Sequence, residues 1–259
     1  MNGGLHISLA AERVGTFLGL PITNTILMTW VVVALLIVIG FFVRRNLSLT
    51  PGRLQNAFEM IYEYVMGLLE QGFGDQTLAR RYFPLIATIF LFILTANMLE
   101  FAPFIGSAGF TDAGGAFVPL LHTPTADLNT TLSLALISFF VVEFSGVLTL
   151  GVLKYGSKFV NFKAGAIGFI VGLLELIGNL ARLISFSFRL FGAIFAGEVL
   201  VMVITHFLPY IASVPVMAFE MFVGLLQAGI FAILTMAFIK IAVEEPHATS
   251  SGQAHVAAH

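Results

Sequence analysis

Apolar residues come in runs too long for the core of a water-soluble domain, and the polar residues between them mark where each run ends. The first run, 22–43, contains Trp30 and stops at Arg44-Arg45. Its length of about 20 residues matches the ~30 Å hydrocarbon core of a bilayer. Thr50-Pro51-Gly52-Arg53 follows, a helix cap with proline at the first helical position. Leu54, Ala57, Phe58, Ile61, Val65, Leu68 and Leu69 then recur at helical spacing, while Arg53, Gln55, Asn56, Glu59, Glu63 and Glu70 occupy the rest of the wheel. The pattern predicts an amphipathic helix over 51–71, ending at Gly72. With no extramembrane domain for it to pack on, its expected place is the membrane interface.

A second span is predicted over 84–104, with Asn97 and Glu100 near its far end and Pro103 breaking it. Residues 106–129 read as a loop rich in Gly, Pro, Ser and Thr, holding Asp112, His122 and Asp127 but neither Lys nor Arg. The third span, 132–153, carries Glu143 and gives way to Lys154, Lys158 and Lys163. The next apolar run, 164–205, would be ~60 Å long as one helix, twice the hydrocarbon thickness. No proline interrupts it, and its glycines permit close packing without demanding a break, so a steep tilt is expected. Pro209 and Pro215 mark a turn, and a last run, 211–243, returns. The tail, 244–259, is small and polar and reads as disordered.

The fold class is therefore an all-α polytopic membrane protein. It has about five membrane helices and one interfacial helix, the last two helices forming a long, tilted hairpin, all within a single membrane domain, 1–259. Composition agrees: 58% of residues are hydrophobic and 10% charged, against roughly 25% charged in soluble domains. The chain has no cysteine, which excludes disulfides and thiolate chemistry. No basic patch interleaved with aromatics points to nucleic acid. Residues 1–20 lack the basic region and cleavage site of a signal peptide and are taken as part of the mature chain. Arg44, Arg45, Arg53, Arg80, Arg81, Lys154, Lys158 and Lys163 all fall in loops on one side, and Asp112 and Asp127 on the other. The positive-inside rule then puts the N-terminus outside and the C-terminus in the cytoplasm.

Against this apolar background the intramembrane ionisable residues stand out: Glu143, Glu175, Arg182, Arg189, Glu198, Glu220 and Lys240, with His206 and Gln227 adding polar function. The default meaning of such residues is an ion or proton path, although Lys240 and Arg182 could equally snorkel or pair structurally. Arg189 is the most demanding, because a guanidinium stays charged at any working pH. Placing it near a bilayer centre costs at least ~2.5–3.5 kcal/mol. Glu175, Arg182 and Arg189 are spaced by sevens on nearly one helix face, and Glu198 lies half a turn round and ~13 Å further along. Glu220 and Gln227 likewise share a face of the last helix. Two aqueous inlets divided by a fixed cation would suit this arrangement. A continuous cation pore would not, since the cation would repel the permeant ion.

Phosphate-loop, zinc-protease and nucleophile-elbow motifs are missing. A lone membrane-proximal histidine, His206, does not suit haem, and no cluster of metal ligands is present, so no cofactor is expected.

Around the arginine, the run Ser-Phe-Arg-Leu-Phe-Gly-Ala-Ile-Phe-Ala-Gly-Glu (187–198) closely resembles subunit a of the F-type ATP synthase, the stator subunit of its proton-conducting membrane sector. Pro124-Thr-Ala-Asp-Leu-Asn129, the stretch from Asn97 to Pro103, and Leu225-Leu-Gln-Ala-Gly-Ile-Phe231 also match, in the family's order. The resemblance implies that Arg189 faces a rotating ring of c subunits, that Glu198 belongs to the outer half-channel, that Glu175 belongs to the inner one, and that Gln227 lies opposite the arginine. Asn97, Asp127, His206, Ser185 and Arg182 become channel-wall candidates, while Glu143 has no counterpart. Expected partners are the c-ring, the b subunits of the peripheral stalk, the remaining ATP synthase subunits and lipid. The expected location is a bacterial inner membrane.

Two departures stand out. Ala193 replaces a common Asn, and Glu198 and Glu220 replace a common Glu/His pair, giving two carboxylates able to share a proton. Two other classes remain open at this point. A secondary transporter binding an anion at Arg189 would show internal repeats and broken helices. A structural anchor would need no buried charge.

Overall fold

The computed structural model describes residues 13–17, 19–45, 52–102, 105, 109–111, 117–152, 155–156, 165–208 and 212–243. The predicted disordered tail and the lysines at 154, 158 and 163 lie outside the described residues. Within them, five helices are long and apolar enough to cross a membrane. They are α1 (Asn24–Arg45), α3 (Gln76–Leu99), α4 (Leu128–Leu150), α5 (Gly165–Phe207) and α6 (Ser213–Val243); the amphipathic α2 (Arg53–Phe73) comes between the first two. The chain is an all-α polytopic membrane protein.

Local chemistry sets the helix ends. Gly52 is the N-cap of α2, and Thr50 and Pro51, expected to cap and open that helix, lie outside the described residues. Its end comes at Gly74, whose left-handed backbone (φ 72°) lets its N–H donate to the Glu70 carbonyl. Gly72, the expected stop, is instead helical and lies against Met236 of α6, where a Cβ would collide. The Lys240 ammonium donates to the Gly72 carbonyl at 2.9 Å, so a structural partner accounts for that intramembrane lysine. Asp75 caps α3 by accepting from the Thr77 N–H at 2.7 Å, which starts the helix well before Pro84 and places that proline inside it. The helix ends at Leu99, with Glu100 as its C-cap.

The segment before α1 and the connection between α3 and α4 hold more order than the sequence pattern suggests. β1 (Arg13–Phe17) pairs antiparallel with β2 (Leu20–Thr23), and β3 (Gly109–Thr111) with β4 (Phe117–Pro119). A 3-10 turn, Pro124–Ala126, leads into α4. Strand pairing and turns satisfy backbone groups that no helix reaches.

α3 packs on α6, α4 on both α5 and α6, α5 on α6, and α2 on α3 and α6. Met66, Leu69 and Phe73 of α2 join Tyr82, Ile86, Val142 and Ile239 in one core cluster, while Met60, Ile61, Tyr62 and Tyr64 stay exposed. The amphipathic helix therefore divides its apolar surface between the bundle and its surroundings. α5 has 43 residues, so it is ~65 Å long at 1.5 Å per residue. It folds back on α6 as a hairpin, with Thr205 and Ser213 hydroxyls 3.1 Å apart at the turn.

Two of the channel-wall candidates also tie the bundle together. Asn97 is 1% exposed; its amide donates to the Gly224 carbonyl at 2.9 Å and accepts from the Thr125 hydroxyl at 2.6 Å. It thus joins α3, α6 and the 3-10 turn. Asp127 caps α4 through the Asn129 N–H at 2.9 Å and accepts from Thr25 of α1 at 3.0 Å. Replacing Asn97 with Ala leaves the fully buried Thr125 hydroxyl without its acceptor. The expected cost is about 1–3 kcal/mol, measurable as a lower unfolding midpoint of the purified protein.

Candidate functional site

The seam between α5 and α6 carries the polar residues in rungs. Near the turn, Glu198 and Glu220 lie within reach of each other's charge. One helical stretch further in, the Gln227 amide donates to the Arg189 main-chain carbonyl at 2.9 Å. Phe186 and Phe231 then stack with centroids 4.0 Å apart, and the Arg182 guanidinium sits 4.6 Å over the Phe238 ring. The aromatic face of Phe238 gives that cation a partner within an apolar interface.

Glycine makes the first rung possible. A Cβ on Gly197 would come within 2.6 Å of the Glu220 carboxylate oxygen Oε1, so a side chain there would push that carboxylate out of its present place against α5. Glu220 is 5% exposed, and Oε1 has no hydrogen-bond partner among the described residues. The structure brings two further ionisable side chains here that sequence reasoning had not assigned. The His122 imidazole Nδ1 lies 3.4 Å from the Glu198 carboxylate, and Glu100 feels the charges of both Glu198 and Glu220. Their signal in the sequence was weak: each flanks the loop between α3 and α4, and only folding carries that loop to the hairpin turn.

Burial first, and then the charges of Glu198 and Glu220, raise the Glu100 carboxyl from its ordinary 4.5 to about 8.

Arg189 leaves the seam by its side chain and is exposed. It forms no ion pair with a carboxylate among the described residues. Ser185, one turn back, is exposed beside it, and exposed large apolar residues, including Ile177, Leu180, Ile184, Phe188 and Leu200, surround it along the helix. Glu175 is half-buried further along α5, and its charge reaches Tyr155. His206 is exposed near the end of α5 with its ring edge-on to Phe207, ~12 Å beyond Glu198 by helical rise. The described residues hold no cluster of three or more side chains able to bind a metal ion.

These features define a polytopic helical membrane protein whose ionisable residues gather along helix seams, with Arg189 exposed on an apolar face and unpaired with any carboxylate among the described residues. The family model described as ATP synthase A chain matches residues 26–240. Similar proteins include the sodium ion specific ATP synthase subunit a of Propionigenium modestum, 34% identical over 89% of this chain and 78% of its own length. ATP synthase subunit a of Moorella thermoacetica is 32% identical over 85% of this chain and 90% of its own. That of Mycobacterium marinum is 34% identical over 92% and 94%. The chain belongs to the ATP synthase A chain family and is a membrane-sector subunit of the ATP synthase complex. Membership of that family replaces the transporter reading.

Because the folded value for Glu100 lies above its ordinary value, its neutral form is the one the fold favours. Its contribution to stability is present below pH 4.5 and is lost as pH rises through about 8. Glu100→Gln should therefore flatten the stability profile across that window, read as the thermal midpoint of the purified complex against pH. An unchanged slope would show that Glu198, Glu220 and His122 set the profile without Glu100.

Proposed function

We propose that the chain is the stator subunit that carries protons between two offset half-channels and a rotating ring of c subunits, with Arg189 as the divider. The observation that carries this reading is the position of Arg189: an exposed, permanently charged side chain on an apolar helix face, unpaired with any carboxylate among the described residues. A cation left without an internal counter-charge at membrane depth calls for an external one. A carboxylate presented in turn by each subunit of a ring supplies it.

On this reading a proton enters from outside through the group of Glu198, Glu220 and their neighbours His122 and Glu100. It neutralises a ring carboxylate, which can then face lipid. After nearly a full rotation that carboxylate meets Arg189, whose charge favours its ionised form. The released proton leaves on the side of Glu175. Arg189 blocks direct passage between the two inlets, and Gln227, tied to the Arg189 carbonyl, fixes the height of the arginine against α6. Ser185 and Arg182 line the same helix on the inner side, and His206 the outer approach. Asn97 and Asp127 act through the framework they hold.

The remaining architecture follows from the same reading. α5 spans a bilayer by steep tilt, the N-terminus lies outside, and the C-terminus lies in the cytoplasm of a bacterial cell whose inner membrane holds the complex. The b subunits of the peripheral stalk anchor this chain against the torque of the ring. The chain itself performs no covalent chemistry.

The test is Arg189→Ala in the assembled synthase, reconstituted into vesicles. ATP-driven pumping should be lost, with passive leakage permitted; Arg189→Lys keeps the charge without the planar fork and should retain only part of the activity. Normal coupled synthesis by the alanine variant would sink the assignment. Measuring with protons and with sodium separately identifies the transported ion, since one relative is named as sodium ion specific.

A further inference from the structure

Glu143 is a carboxylate in the middle of an apolar helix, and the pathway just described does not use it. Both of its oxygens have donors: the Tyr155 hydroxyl donates to Oε2 at 2.7 Å, and the Asn179 amide of α5 donates to Oε1 at 3.1 Å. Asn179 and Tyr155 are each 5% exposed. Gly146, one turn along α4, lies against the Tyr155 ring, and any side chain there would displace it. The group is therefore packed in place by the fold. Burial first, then the bond to Glu143 and the charges of Glu143 and Glu175, raise the Tyr155 pKa against a smaller lowering by Arg182. Tyr155 is a neutral O–H donor at any physiological pH.

A second observation connects this group with the level of Arg189. The buried faces of α4 and α5 meet through hydroxyls, with Thr131 and Ser187 3.2 Å apart. Ser138, two turns further along α4, is 3% exposed, and its hydroxyl has no hydrogen-bond partner among the described residues. It lines a cavity of about 20 Å³ together with Arg182 and the apolar side chains of Phe186 and Phe238. That is room for about one water, with the serine hydroxyl and the arginine as polar neighbours. Polar groups thus follow one another along the α4–α5 contact, from Thr131 and Ser187, through Ser138 and Arg182, to Glu143, Asn179 and Tyr155. A purely structural helix contact needs no such succession.

We infer that Glu143 is a proton-carrying group of the inner half-path, taking protons from water held beside Ser138 and Arg182 and passing them on, with Tyr155 and Asn179 as its partners, toward the side of Glu175. The inference rests on the stator reading above. Each transfer moves one proton and breaks no other bond. A proton arriving on the Glu143 carboxylate makes it neutral and turns the Tyr155 hydroxyl from donor to acceptor, which frees the tyrosine O–H for the next acceptor. Loss of the proton returns both side chains to their starting state.

The experiment uses the whole synthase in vesicles, and the membrane sector after removal of the soluble ATPase. Glu143→Gln keeps the shape and an oxygen acceptor but cannot carry a proton. Passive proton conductance and ATP-driven pumping should both fall on the order of 10²-fold, the effect of a positioned proton-transfer group, with assembly intact and partial recovery in Glu143→Asp. Wild-type conductance and an unchanged pH profile in Glu143→Gln would overturn the inference. The Arg189→Ala variant is measured in parallel. If it is uncoupled while Glu143→Gln is normal, the stator reading stands and this inference fails; if it stays coupled, the reading beneath both fails. Should Glu143→Gln not assemble, Tyr155→Phe decides, since it keeps the ring against Gly146 and removes only the hydroxyl. A slower rate with a displaced pH profile supports the relay, and wild-type behaviour overturns it.

Discussion

A guanidinium that cannot lose its proton, carried on an apolar helix, makes demands on everything around it. It cannot be neutralised by deprotonation, and no carboxylate of the described residues approaches it. The bundle does not bury the charge but presents it. The Arg189 backbone is fastened to α6 by Gln227, neighbouring Leu190 and Ile194 are almost fully buried, and the side chain is left on the open face. A backbone held this firmly at a seam fixes the height of the charge it carries, which a loop would not.

The long hairpin supplies the rest of the geometry. Because α5 and α6 run back along each other, residues far apart in the chain meet in rungs: Thr205 with Ser213, Gly197 with Glu220, Arg189 with Gln227, Phe186 with Phe231. The helix length separates the carboxylates at the turn from Glu175 on the far side of the arginine. α3 and α4 close the hairpin's other faces, and each contributes polar residues. The end of α3 and the approach to α4 add Glu100 and His122 to the group near the hairpin turn, while α4 itself brings Glu143 to Asn179. A single apolar helix could hold none of these charges at tolerable cost. Four helices packed together can hold most of them, because Asn97, Glu143, Arg182 and Glu198 each find a donor, an aromatic face or another ionisable group within the bundle.

The apolar runs, the basic residues that end them and the permanent charge of Arg189 are visible in sequence, because bilayer thickness and guanidinium chemistry act on local stretches of chain. They determine an all-helical membrane protein, the long terminal hairpin, and the residues 187–198 that place the chain in its family. Helix ends were less legible. Gly72 reads as a stop by composition, yet it is helical, with Met236 against its empty side, and Asp75 starts α3 well ahead of the apolar run. Asn97 and Asp127 are legible as polar residues near helix ends, but that they also tie helices together is visible only in the fold.

Tertiary structure alone decided which polar groups meet. His122 with Glu198, Glu100 with the two hairpin glutamates, and Glu143 with Tyr155 and Asn179 join separate elements of the chain, and no periodicity along one helix relates them. Hydrophobic pattern specifies how far a helix runs and which face it hides. The partner across a seam depends on the register between helices, and that register is set by small residues such as Gly197 and Gly146 and by single hydrogen bonds such as Gln227 to Arg189. Those contacts exist only once the helices have packed.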